Sequence, residues 1–461
     1  MRKFLLIILI VCASVTLSCK REKVVDIVQP NASGVQEVSG NQSGTWSGKI
    51  HIVDDVIVPK GKTLTIKAGT TVIADGYFGM TVNGSLYAVG EDNAWISFTV
   101  ADTTGYSDYD DYENGGWKGI TFAKPDVVRL EYCDFAYGKT PLDTDGGMLK
   151  IFSTIDMEIS NCRFHHNTTR RKGGAIYATN SVLNIHDCEV YDNLGVGYMG
   201  SYCWGIGFQF QRSTVNMHDM VFHDNYSESA YGGGMNIDSC NLELTNAVFY
   251  NNFAIDAGGL GLQRSKEYNV KVVNMLAYNN YVVHYGGGLA VATSDPELNN
   301  LTIVNNYCGG GGGAGMQMAF DAAPTLNNCI FWGNHAFYTT EDRNDRDTIE
   351  YYMGSQIWLW GSDCLPMFNN SVVQYGLDTI NGYYQIPEDH YNNMLDVNPL
   401  FVNEESRDYH LTETSPCVNA GLQDVSGLFI PSFDLDGRQR ISGGRIDMGC
   451  YESQGFKRLT E

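Results

Sequence analysis

The sequence predicts an all-β fold, a single-stranded right-handed parallel β-helix with a C-terminal cap, and three observations carry that prediction. An asparagine returns as Asn167, Asn193, Asn225, Asn252, Asn280, Asn306 and Asn334, at separations of 26, 32, 27, 28, 26 and 28 residues; a period of that size marks a solenoid. The positions three and five before each asparagine are apolar, from Phe164 and Cys162 in the first copy to Phe331 and Cys329 in the last. Positions eight and ten before it are apolar with polar residues between them, as at Leu183 and Ile185, which is the period-2 pattern of a half-buried strand. Each repeat therefore reads as three short strands: one like SVLNI, one like CEVYD that ends at the Asn, and one like GGAIYA that opens on glycines.

Stacked coils bring equivalent residues about 4.8 Å apart, so each Asn amide reaches the next and pairs turn backbone that would otherwise be buried unsatisfied. The glycines supply corner conformations that a side chain forbids. Composition agrees. With 51 Gly against 11 Pro, 28 Tyr and 18% charged residues, the chain fits neither a disordered tail nor a helical bundle.

Residues 1–18 join a positive start to a short apolar run ending in small residues, an export signal too short to span a bilayer. Leu17-Ser18-Cys19 resembles a bacterial lipobox, in the relaxed form of Bacteroidota because Thr16 stands where the strict pattern has an aliphatic residue. The resemblance implies a lipid on Cys19 and an outer-membrane, cell-surface location; ordinary cleavage with a free Cys19 is the alternative. Residues 19–44 are polar and form a flexible tether, residues 45–395 the solenoid, and residues 396–461 the terminal cap and tail. A net charge of −23 excludes a nucleic-acid partner, and it opposes acidic polysaccharides unless a bound cation or a local basic patch offsets the repulsion.

FHHN at 164, FHDN at 222, FYNN at 249 and FWGN at 331, with GGAI at 173, resemble the FxxN and GGA[IL] repeats of the chlamydial polymorphic outer-membrane proteins. Those are β-helix adhesins secreted by a C-terminal barrel, which is missing from this sequence; Cys19 would serve as the anchor instead. The stretch from TWSGKIHIVDDVIVPKGKTLTIKAGTTV resembles the first coils of secreted β-helix proteins with the pectin lyase-like solenoid. DVNPLFVN, DYHL, SPCVNAG and DLDGRQRISGGRIDMGCYE resemble the choice-of-anchor Q terminal region of β-helix proteins. An open solenoid end exposes unpaired strand edges, so the terminal region is expected to cover one.

Chemistry is sought on the exposed strand faces. Glu243, Lys271 and Glu297 fall on successive coils, with the carboxylates about 9.6 Å apart, near the upper limit for an inverting glycosidase pair, and with a lysine that can act as a base. The alternative is an ion ladder on a solvated face. His186 and His218 stack on adjacent coils as a metal pair that lacks a third ligand. Asp108, Asp110, Asp111 and Glu113 make an oxygen-rich loop without EF-hand spacing, either a calcium site or a solvated acidic loop, and no other cofactor is expected. Trp358 and Trp360 share a strand face, while Tyr202 and Trp204 decorate an insertion; such aromatics are sugar platforms when exposed and core filler when buried. Where the choice-of-anchor Q pattern normally carries two alanines, this chain has Cys417 and Cys450, and that joint replacement implies a disulfide.

Three functions fit. The preferred one is a noncatalytic surface lipoprotein that binds glycans or host and matrix proteins. The alternatives are a polysaccharide lyase or glycoside hydrolase using an exposed face, and a structural envelope protein.

Overall fold

Each coil lays its strands in parallel against those of the coil before it, and this repeats along the chain. The computed structural model describes residues 35–454 apart from 109–110, 142–143, 155, 198–201, 311, 338–355, 362, 378–379 and 383–385. Cys19, the tether before residue 35, Asp110 and the 341–347 insertion therefore lie outside the described residues.

Face A stacks the strands that follow the glycines: Ile176–Thr179, Phe208–Gln211, Met235–Asp238, Leu260–Gln263, Leu289–Ala292, Met316–Ala319 and Ile357–Trp360. Faces B and C, expected as separate strands, run as single ten-residue strands in the middle coils, Val182–Tyr191, Thr214–His223 and Asn241–Tyr250. Each bends between its halves at a left-handed residue, Asp187, Asp219 or Asn246, with φ of 54°, 54° and 55°. A second left-handed column, Asp192, Asp224, Asn251, Asn279 and Asn305, turns the chain after face C. Asp and Asn tolerate this region because their short polar side chains bond locally. The sharp corners thus belong largely to these residues.

Glycine has two jobs in face A. Gly232 takes the expected positive φ of 85°. Gly207 instead serves close approach, because a Cβ there would lie 2.2 Å from the Gly234 carbonyl oxygen of the next coil.

Inward side chains fill the solenoid in layers, with Phe98, Phe135 and Phe164 stacked at 4.9 and 5.0 Å and Phe222 on Phe249 at 4.8 Å. At the turn after face C the seven asparagines form one ladder. Asn225 Nδ2 donates to Asn252 Oδ1 at 2.8 Å and Asn252 Nδ2 to Asn280 Oδ1 at 2.9 Å, and each amide also donates to a carbonyl of the preceding coil. Asn334 ends the series by donating to Gln356 Oε1 at 2.6 Å.

The terminal region differs from expectation in position. Ile380, Ile386, Tyr391 and Met394 pack on the end of the main core, whereas residues after 396 lie along a flank. Phe401, Tyr409, Leu411, Cys417, Met448 and Cys450 form a second core with Leu276, Val304, Ile330 and Val372, outward residues of face C. Apolar residues on that outer face call for a cover. Hydrogen bonds fix it laterally: Asn300 Nδ2 donates to the Asp447 carbonyl at 2.9 Å, and the Cys450 N–H donates to Thr302 Oγ1 at 3.0 Å.

Cys417 and Cys450 are free thiols in the structure, so the expected bridge is not formed. Both are fully buried in this flank core, and burial pushes each thiol up to about 12. They act as small apolar side chains.

Candidate functional site

The terminal region changes the reading of the first catalytic candidates. Lys271 Nζ lies 3.7 Å from Glu243 and 5.1 Å from the centre of the Phe429 ring. Glu297 accepts from Asn299 Nδ2 at 2.6 Å and from the Phe429 N–H at 3.2 Å. The trio therefore forms an ion ladder that docks the flank, with a carboxylate and the ammonium engaged by Phe429 and its neighbours. The oxygen-rich loop likewise has a cation of its own. Lys139 Nζ, buried to 2% exposure, donates to the carbonyls of Gly105, Asp111 and Asn114 at 2.8, 2.9 and 2.8 Å. Burial lowers that ammonium to about 8, against the opposing pull of Asp108 and Asp111. Three backbone carbonyls of the loop thus converge on a lysine, while the Asp111 carboxylate accepts from the Glu113 N–H at 3.2 Å and from Asn114 Nδ2 at 2.6 Å.

On face C, sequence reading missed a column: His165, Tyr191, His223, Tyr250 and Tyr278 stack at 5.0, 5.1, 4.7 and 5.1 Å. Their ring faces are spent on one another, so only edges meet solvent and no flat sugar platform results.

Face A is different. Its outward positions alternate with the core residues, yet Gln209 and Asn236 are wholly buried, and Lys150 and Gln317 are 7% and 8% exposed. What covers them is a wall of residues preceding the glycines, paired coil to coil: Lys172 with Trp204, Trp204 with Tyr231, Tyr231 with Asp256, Asp256 with Tyr285, Tyr285 with Gly312. The floor and wall together make a trough along the helix axis.

In its middle the floor drops to Gly261 and Ala290. A Cβ at Gly261 would lie 2.6 Å from Asn236 Oδ1 and 2.8 Å from the Tyr231 ring, so both lean over that gap. Trp204 packs on Tyr231 at 5.5 Å, and Tyr285 meets Trp360 edge-on at 5.1 Å. Trp358 stands against Gly312. The trough therefore gathers Trp204, Trp358 and Trp360 from the predicted aromatics, whereas Tyr202 is 52% exposed. From the middle of the trough to its C-terminal end, Asn236 Oδ1, Asp256 Oδ1 and Trp358 Nε1 are buried without a hydrogen-bond partner. Buried groups of this kind are normally satisfied by protein or by ordered water.

Charge is graded along the trough. At the N-terminal end lie Lys118, Lys150, Arg171, Lys172 and Arg212, offset by Asp55 and Asp145, and Arg264 pairs with Asp238 nearer the middle. In so acidic a chain this is a local basic patch of the kind that offsets repulsion of an acidic polysaccharide. Lys150 donates to the Lys118 carbonyl at 2.7 Å, and burial together with Lys118 lowers it to about 8. Tyr177 donates to Gln211 Oε1 at 3.0 Å, and Gln211 donates on to Asp238 at 3.1 Å. Burial favours a neutral Asp238, but Arg264 holds its carboxyl below the usual range. Midway, burial pushes Asp256 up to about 6 against the opposing influence of His284, whose Nδ1 is 3.9 Å away. Tyr231 is raised by burial and then by Asp256.

A family model described as the right-handed beta helix region matches residues 112–294. The chain is a right-handed parallel β-helix. Solved structures with similarity to it include a mutant of the periplasmic alginate epimerase AlgG, at 12% identity, 76% coverage of each chain and a TM-score of 0.38. Pectate lyase Pel9A is also similar, at 12% identity, 84% coverage of this chain, 88% of that one and a TM-score of 0.32. No curated protein matches the chain. This β-helix therefore has to be read from its own side chains.

A shallow hollow of about 360 Å³ on the terminal region is lined by Asp408, His410, Arg438 and Tyr451. His410 is held there by Asp408 and Asp436, each at 2.6 Å.

Proposed function

We propose that this β-helix is a noncatalytic glycan-binding module whose ligand lies in the face A trough, displayed at the cell surface by a lipid on Cys19. The observation that carries the reading is the row of outward yet buried polar side chains with unpartnered atoms at Asn236, Asp256 and Trp358, walled by Trp204, Tyr231, Tyr285 and Trp360. Sugars present hydroxyls for such atoms and apolar ring faces for such aromatics. The basic end around Lys150, Lys172 and Arg212 suits a glycan carrying carboxylates or sulfates, which removes the charge objection raised by the acidic composition. Host or matrix proteins are ligands in this reading when they carry such glycans.

Binding of pectate, alginate and glycosaminoglycans, measured by calorimetry on the exported chain, tests the proposal. Tyr231→Ala and Lys172→Ala are expected to weaken binding about tenfold or more, the loss of a packed aromatic or a charged contact. Unchanged affinity in both variants, or no binding by the wild type, would overturn it and favour a structural envelope role. The anchor has its own test: a fatty-acid analogue should label the wild type but not Cys19→Ala.

One observation favours an enzyme as the second reading. Asp256 carries a carboxyl raised to about 6 beside His284 and Tyr231, a group suited to moving protons near neutral pH. Release of unsaturated or reducing ends, abolished by Asp256→Asn with binding intact, would promote it over the binding module.

A further inference from the structure

Face B, separate from the trough, carries a cluster that neither the glycan reading nor the fold uses. His186 and His218 stand on adjacent coils in direct register, their rings 4.6 Å apart and 9° from parallel. His186 Nδ1 lies 2.7 Å from Asp187 Oδ2, and His218 Nδ1 lies 2.8 Å from Asp219 Oδ2. His186, Asp187 and His218 each offer a ligand atom within 4.8 Å of the others. The sequence shows only the two histidines; the left-handed bend after each strand half is what folds the following Asp back onto its imidazole. Glu158, on the coil before, brings a further carboxylate oxygen to 3.8 Å from His186 Nε2.

We propose that His186, His218 and Asp187 bind one divalent late first-row transition ion of the zinc, nickel or copper type. The donor set decides the class: two imidazoles with a carboxylate suit these borderline ions, whereas calcium and magnesium take oxygen alone. Charge points the same way. Asp187 and Asp219 put two negative charges beside two imidazoles, and among the described residues no Lys or Arg forms an ion pair with either. The neighbouring rung also orders the site, since Asn246 Nδ2 donates to Asp219 Oδ1 at 3.0 Å.

The geometry predicts what binding must change. Two parallel rings send their in-plane lone pairs along parallel lines, so they meet at one ion only if a ring turns. Metal–ligand bonds of about 2.0–2.2 Å require ligand atoms roughly 3.3 Å apart, so a shift on the order of 1 Å closes the cluster. The His218 side chain, 46% exposed, has the freedom to make that turn, while His186, 20% exposed, stays in place. Asp219 then remains on His218 or joins the ion as a fourth ligand. The bound ion would pin the coil of residues 182–191 to that of 214–223.

The test uses the full chain stripped with a chelator, titrated calorimetrically with Zn²⁺ and, separately, with Co²⁺ read by its visible absorption. One equivalent of Zn²⁺ is expected, with cobalt bands of a four-coordinate nitrogen and oxygen site. His186→Ala and His218→Ala are expected to abolish the bands and weaken Zn²⁺ binding at least tenfold, with His223→Ala, past the Asp219 bend on the face C half of the same strand, as the unaffected control. All of these side chains are partly exposed, so the variants fold, and thermal midpoints without metal check that they do. Equal Zn²⁺ affinity in the wild type and both variants, or no cobalt spectrum in the wild type, would show a plain His–Asp ladder and overturn the proposal.

Discussion

Two regions of the molecule bury polar side chains almost completely, and they do so by opposite means. In the coils, Asn167 to Asn334 are 0–2% exposed and repeat one solution: each amide donates to the next rung and to a carbonyl of the coil before. In the terminal region, Asp434, Arg440, Asp447 and Glu452 are 0–1% exposed, and each does something different. Asp434 accepts from the N–H groups of Asp436, Arg438 and Glu452. Arg440 donates to the carbonyls of Gly449 and Cys450, while Glu452 accepts from the N–H groups of Ser442 and Asp447. Asp447 accepts from those of Asn419 and Ser453. The motif DLDGRQRISGGRIDMGCYE is thereby a scaffold of buried charge. A neutral ladder fails one rung at a time, but three carboxylates and a guanidinium that each hold different backbone segments, with the Arg440 charge acting on the carboxylates through space, tie the terminal region together as a unit.

The sharpest way to break the comparison is Arg440→Ala. It leaves three buried carboxylates without their cation, and losing one partner of a buried charged set costs about 3–5 kcal/mol. Residues 400–454 are then expected to become protease-sensitive while the coils keep their protection; coils and flank melting together would mean that they are one cooperative unit.

A pH titration of the flank comes next. Burial and then Asp447 raise the Glu452 carboxyl to about 7 from its ordinary 4.5. The folded flank therefore binds a proton that the unfolded chain has released, and its stability falls as pH rises from about 4.5 to about 7, then levels off. The slope corresponds to a few kcal/mol at most. Midpoints read from flank proteolysis between pH 4.5 and 8 check this, and Glu452→Gln should flatten the curve. A flank more stable at pH 8 than at pH 5 contradicts it.

Asn252→Ala should cost about 1–3 kcal/mol, because it strips one rung and leaves turn groups unpaired. Asn225→Ala should cost nearly the same, since the two rungs have the same bonds. Denaturation midpoints that differ widely between the two would show that the ladder is not periodic in energy.

The smallest effect concerns the thiols. Cys417 and Cys450 should resist alkylation in the native protein and react fully after denaturation without reductant; a linked peptide pair would reveal a bridge after all.

Legibility followed the same division. The FxxN spacing exposes the ladder and the core columns because each coil must present the same residue at the same place. The trough was hidden because its wall residues sit after the asparagine at varying distances: Lys172 is five residues past Asn167, Trp204 eleven past Asn193, and Tyr231 six past Asn225. Alignment on the asparagine scatters them, and only the coil-to-coil pairing brings Lys172, Trp204, Tyr231 and Asp256 into one line. The trio of Glu243, Lys271 and Glu297 was visible as a periodic row, but the segment that engages it, Phe429, lies 132 residues beyond Glu297.

Period and alternation alone determined the parallel solenoid, its three strands per coil and its asparagine spine, since these depend on contacts between residues a fixed distance apart in the chain. The tertiary structure decided which faces are free. It laid the terminal region on the flank of faces B and C, set Lys139 among the loop oxygens, and left the face A trough with unpartnered polar atoms. Those outcomes depend on contacts between segments with no common period, where the balance of burial and desolvation is settled only once the chain has closed on itself.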